Sequence, residues 1–154
     1  MSPLGQGLLR EVTTLRDDQS IASAAPMLVE SGLPALPVCG EDGQLVGVFG
    51  ERDVIAAVLP GYLGELSSAA FVSSVLEDVL ENRLECANEK VSQHMNTEHV
   101  QVESDFSSAQ LAETFLHHRV SVLPVVEDGR VVGAVTRRDY VRALSEKLPA
   151  QSGE

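Results

Sequence analysis

The chain has 154 residues, enough for one ordinary domain to bury a core without disulfide or metal support. An apolar share of 44% and a charged share of 22% lie close to globular averages and exclude a disordered chain, a collagen-like repeat and a pure coiled coil. A formal net charge of -12 argues against a nucleic-acid polymer or an anionic membrane surface as partner, because either needs clustered Lys and Arg.

The opening Met1-Ser-Pro-Leu-Gly-Gln-Gly7 has neither the basic region nor the apolar stretch of a signal peptide, and no apolar run reaches the roughly 18 residues of a membrane span. A soluble, cytoplasmic protein is expected. Cys39 and Cys86 are too few for a disulfide framework and read as small buried hydrophobes. Thr13 to Leu15 alternates as a short strand, and Asp18-x-Ser20 then leads into a helical segment. Ala35-Leu-Pro-Val38 and Leu45-Val-Gly-Val-Phe49, separated by a Glu41-Asp-Gly43 turn, read as a hairpin, with a second helix from about residue 51.

Pro60-Gly-Tyr-Leu-Gly-Glu65 reads as a surface turn. Phe71, Val72, Val75, Leu76, Val79, Leu80 and Leu84 then form a helical stripe, with Glu77, Asp78, Glu81 and Glu85 on other faces. Such an added amphipathic helix either covers core left open by its neighbours or serves self-association. From Val100 the earlier order returns. A strand over Val100 to Val102 is followed by Asp105-x-Ser107 and by a helix carrying Leu111, Phe115 and Leu116. A hairpin of Val122 to Val126 and Val131 to Val135 closes around Glu127-Asp-Gly129, and a helix starts near residue 137. Residues 148–154 read as a flexible tail.

The chain is thus written twice. Residues 36–58 align with 123–144 at 22 positions once Gly40 is taken as an insertion, and eleven of these are identical. Ordinary residue usage would give roughly one or two. Upstream, Asp18 matches Asp105, Ser20 matches Ser107, Ala22 matches Ala109 and Ala25 matches Ala112. The expectation is an α+β fold of two β-α-β-β-α repeats, over 10–59 and 95–147, with the helical segment 60–94 between them.

Leu-Pro-Val, then Glu-Asp-Gly, then Val-Gly-x-x-Thr-x-Arg-Asp, occurring in two β-α-β-β-α repeats, resembles the paired cystathionine-β-synthase (CBS) domains, or Bateman modules. The resemblance implies repeats packed about a pseudo-twofold axis, leaving two related clefts that often hold AMP, ADP, ATP or S-adenosylmethionine. It further implies a regulatory sensor with no catalytic role or catalytic cofactor, an adenosine nucleotide as ligand, a homodimer, and an effector protein that the sequence does not name. Carried over by position, the second-repeat cleft would use Thr136, Arg138 and Asp139, with His118, Arg119, Val120, Ser121 and Met95. A carboxylate accepts hydrogen bonds from both hydroxyls of a ribose, and a helix N-terminus offers free N–H groups to an anion. Thr136 and Asp139 are equally spaced as a capping box.

His117-His-Arg-Val-Ser-Val-Leu-Pro-Val125 is similar to a segment in the gamma subunits of the AMP-activated protein kinase, where a His-Arg pair faces phosphate. That likeness makes His118 and Arg119 phosphate contacts, although two exposed cations at a helix C-terminus would be favourable without a ligand. The first cleft would use Gly50, Arg52 and Asp53; Gly50 takes the place of the hydroxyl, which makes this the weaker site. Charge follows the same asymmetry, since residues 117–142 carry net +2 within an acidic chain.

Other classes find little support. Neither a nucleophile elbow nor a P-loop occurs, and the spacing of Cys86, His94 and His99 matches no standard zinc pattern, so no metal site is expected. A ligand-free dimerisation and interaction scaffold is the stronger alternative; it explains the repeats but leaves Thr136, Asp139, His118 and Arg119 unused.

Overall fold

The computed structural model describes residues 7–58 and 84–149. The stripe over 71–84 therefore lies, but for Leu84, outside the described residues, as does the turn at 60–65. Two compact units emerge. One holds residues 13–58 and 84–99, and the other holds 7–12 and 100–149.

In the first unit, β1 (Leu15–Arg16) runs parallel to β2 (Ala35–Cys39), which pairs antiparallel with β3 (Leu45–Gly50). Helix α1 (Ile21–Ser31) starts where the Ser20 side chain accepts a hydrogen bond from the Ser23 N–H, and it stops at Gly32, whose φ of 71° is left-handed backbone that favours glycine. Helix α2 (Glu51–Val58) follows β3 directly. Leu15, Ile21, Ala24, Leu28, Leu36, Val38, Phe49 and Val91 make its core. Leu84–Asn88 and Val91–Gln93 are short 3-10 helices.

The second unit repeats the plan. β4 (Val102–Glu103) is parallel to β5 (Val122–Glu127), and β5 is antiparallel to β6 (Arg130–Thr136). Helix α3 (Ser108–His117) is capped by Ser107, as α1 is by Ser20, and α4 (Arg137–Lys147) follows β6. Asp128 and Gly129, both at positive φ, form the two-residue hairpin turn. Even the irregularities match: the ladder slips between Val38 and Cys39 in one unit and between Val125 and Val126 in the other. Two three-stranded sheets with four α-helices among the described residues make the α+β fold of two β-α-β-β-α repeats.

One arrangement crosses the repeat boundaries. Asn96, at the start of the second repeat, pairs with Val48 on β3 of the first unit through N–H···O bonds of 2.8 and 3.0 Å. Arg10, at the start of the first repeat, pairs with Ala134 on β6 of the second unit through two bonds of 3.0 Å. Each unit is completed by the segment leading into the other repeat. The glycines of the duplicated Val-Gly motif make room for it. A Cβ on Gly47 would lie 2.9 Å from the Asn96 carbonyl oxygen, and one on Gly133 would lie 2.5 Å from that of Arg10.

Candidate functional site

Thr136 ends β6 and is the N-cap of α4, its hydroxyl accepting a 3.0 Å hydrogen bond from the Asp139 N–H. It is 4% exposed. The capping geometry read from Thr-x-x-Asp is thus present on the Thr136 side. The Asp139 carboxylate is turned elsewhere. Its Oδ2 accepts from Arg10 Nε at 2.9 Å and also from Arg10 Nη2, while its Oδ1 accepts from Arg142 Nη1 at 3.0 Å. Burial by itself would raise the pKa of this carboxyl. Hydrogen bonds from Arg10 and with Thr136, and the charges of Arg10 and Arg142, outweigh that and hold it below its ordinary value.

Helix α4 is locked beneath this cluster. Tyr140, one residue on, is buried, donates its hydroxyl to the Ser108 carbonyl at 2.8 Å and stacks obliquely on Phe115. The Arg137 N–H donates to the Ser121 carbonyl at 2.9 Å, so half-buried Val120 and Ser121 lead into β5 alongside the start of α4. His118 is the exposed C-cap of α3 and lines a shallow depression with Gln110, Glu113, Thr114 and His117. Arg119 and Arg138 are exposed, and no described side chain pairs with either.

The predicted set therefore divides. Thr136 and Asp139 meet directly and Ser121 adjoins them through the backbone. His118, Arg119 and Arg138 belong to the same unit without bonding to that pair. Met95 belongs to the first unit, where it packs on the core beside Gly47.

In the first unit Asp53 Oδ2 accepts a 2.8 Å hydrogen bond from the Gly50 N–H. The two repeats thus keep opposite halves of one capping box: hydroxyl to N–H in the second, carboxylate to N–H in the first. Burial pushes the Asp53 carboxyl up, only partly offset by the Gly50 hydrogen bond and by His94 and Arg52. Gly50 is also sterically required. A Cβ there would lie 2.9 Å from the Pro34 carbonyl oxygen, so the missing hydroxyl reflects a tighter backbone. Arg52 is exposed on α2. Since the Gly50 N–H is already bonded, it is not a free donor for a ligand.

Arg10 is the residue that sequence reasoning passed over. It lies in the acidic part of the chain, 129 positions from its carboxylate partner. No sequence signal could have found it: the spacing that matches Asp18 with Asp105 sets Arg10 against Thr97, and its equivalence with Asn96 appears only in the backbone bridges. Among the described residues no group of three or more His, Cys, Asp or Glu side chains is placed to hold a metal ion.

Comparison with known proteins agrees with this plan. Hypoxic response protein 1 of Mycobacterium tuberculosis is 26% identical over 140 residues, covering 91% of this chain and 83% of that protein. The CBS domain of a CBS-domain-containing membrane protein from Sphaerobacter thermophilus matches with a TM-score of 0.71 at 27% identity, covering 93% of this chain and 88% of that one. CBSX2, solved in complex with AMP, matches with a TM-score of 0.66 at 25% identity, covering 88% of this chain and 90% of its own. The CBS-domain profile fits residues 8–60 and 91–146, one match on each repeat, and the chain belongs to the CBS-domain family as a tandem pair.

Proposed function

We propose that this CBS pair is a regulatory module whose second repeat binds an adenosine-containing ligand at Thr136 and Asp139 and relays that state to a partner protein. The observation that carries the reading is the arginine-flanked carboxylate at the β6 to α4 junction. Asp139 supplies the acceptors a ribose diol needs, and Arg10 and Arg142 supply cations for a phosphate. The AMP complex of the similar CBSX2 supports the ligand class. His118, Arg119 and Arg138 are proposed as further phosphate contacts, with Val120 and Ser121 beside the ring system. Met95 remains a proposal only through resemblance. Gly50, Arg52 and Asp53 form at most a weaker second site, so one ligand per chain is expected.

Thermal unfolding with AMP, ADP, ATP, S-adenosylmethionine and NAD tests this, because a ligand at a hundred times its Kd stabilises by about 2.7 kcal/mol. A shift with at least one adenosine ligand, saturating near one per chain in calorimetry, is expected. No shift with any of them would leave the interaction scaffold. One observation favours that second reading: in the free protein Asp139 is already ion-paired.

A homodimer and a cytoplasmic setting belong to the same proposal. Exposed Leu116, Val141 and Leu148 in one unit and Val29 and Ile55 in the other offer apolar helix surface for association. No helix among the described residues is long and apolar enough to cross a membrane. Sedimentation at micromolar concentration showing only a 16.5 kDa species would remove the dimer.

A further inference from the structure

Resting on the nucleotide reading above, we infer that Arg10 is a specificity-determining residue that makes the second-repeat site select nucleoside phosphates over neutral nucleosides. Its guanidinium grips Asp139 Oδ2 through two nitrogens while Arg142 takes Oδ1, so both oxygens of the carboxylate are engaged in the free protein. The Asp139 side chain is 14% exposed, whereas that of Arg10 is 43% exposed and borders solvent. A neutral nucleoside brings two hydroxyls to this carboxylate and must loosen Arg10 from it without offering a replacement anion. A nucleoside phosphate offers one. Arg10 can exchange its carboxylate for phosphate oxygens, which its planar fork fits equally well, while the ribose takes Asp139.

The first repeat provides an internal contrast. In the unit that holds its sheet, the residue at the equivalent bridge position is Asn96, which makes the same kind of two-bond backbone bridge, while its side chain accepts from the Glu98 N–H. The bridge does not need arginine. The charge of Arg10 is therefore separable from the docking of its segment, and it can be altered while the backbone pairing to Ala134 stays.

The test is calorimetric titration of the full chain and of Arg10→Gln and Arg10→Lys with AMP and with adenosine, at fixed ionic strength. Arg10→Gln is expected to weaken AMP about tenfold and to leave adenosine unchanged or tighter, so that the preference for AMP collapses. Arg10→Lys, which keeps the charge and loses the fork, should retain part of the preference. A residue that merely holds Asp139 in place would weaken both ligands equally. An unchanged AMP to adenosine ratio in Arg10→Gln, with AMP still bound by the parent, overturns this inference alone. Absence of binding by parent and variants alike overturns it together with the nucleotide reading. Adenosine binding by Arg10→Gln where the parent binds only AMP supports both.

Discussion

Asp53 and Asp139 occupy the same position of two aligned repeats and meet opposite environments. Asp139 is held below its ordinary pKa, because Arg10, Thr136 and Arg142 outweigh burial, so its ionised form favours folding. That contribution is present above its unfolded value of about 4 and fades as pH falls through the lower folded value. Asp53 is raised, chiefly by burial, so its contribution is present below about pH 4 and is lost as pH rises through the folded value. Asp139→Asn should therefore lower stability at pH 7 by something under about 1 kcal/mol, with the deficit vanishing in acid. Asp53→Asn should be neutral or stabilising at pH 7, since the amide oxygen still accepts from the Gly50 N–H. Urea unfolding of both variants at pH 7 and near pH 4 decides it, and equal losses at pH 7 would refute the distinction. Thr136 and Asp139 were legible because their spacing is local to one helix start. Arg10 was not, because its ion pair exists only through a strand contact between distant parts of the chain.

At the level of elements, helix and strand order followed from period and turn chemistry, since Ser20, Ser107, Asp128 and Gly129 act locally. β1 and β4 were each read slightly early, at Thr13 to Leu15 and Val100 to Val102, whereas pairing places them at Leu15–Arg16 and Val102–Glu103. Two-residue strands are defined by their neighbour, β2 or β5, more than by their own pattern. Helix α1 carries a local conflict, Pro26 in its interior. Proline there removes the hydrogen bond to the Ala22 carbonyl, and both residues lie on the exposed face of the helix. Pro26→Ala should restore that bond without touching the buried face of Ile21, Ala24 and Leu28, and should stabilise by about 1 to 3 kcal/mol. Chemical denaturation with an unchanged m-value would confirm it. A loss of stability would show that the Pro26 ring contributes packing that outweighs the lost hydrogen bond.

The whole molecule is less modular than its duplicated sequence suggests. Identity between residues 36–58 and 123–144 marks two copies, yet the units divide the chain at 12/13 and 99/100, placing each leading segment with the other sheet. Nothing in a repeat's own residues announces this, because Arg10 and Asn96 share backbone pairing and not side-chain chemistry. Gly47 and Gly133 are its trace, needed where the incoming backbone passes. A chain cut between residues 59 and 83 is therefore a split protein, each fragment holding the bridging segment the other requires. Either fragment alone should show weak amide protection at Val48 or Ala134, and mixing should restore it, as hydrogen exchange would record. Full protection in an isolated fragment would show that the leading segments are dispensable. A single repeat of this kind would complete itself only by trading leading segments with an identical copy. Fusing the two copies converts that trade from a bimolecular event, dependent on concentration, into one fixed by the length of the tether.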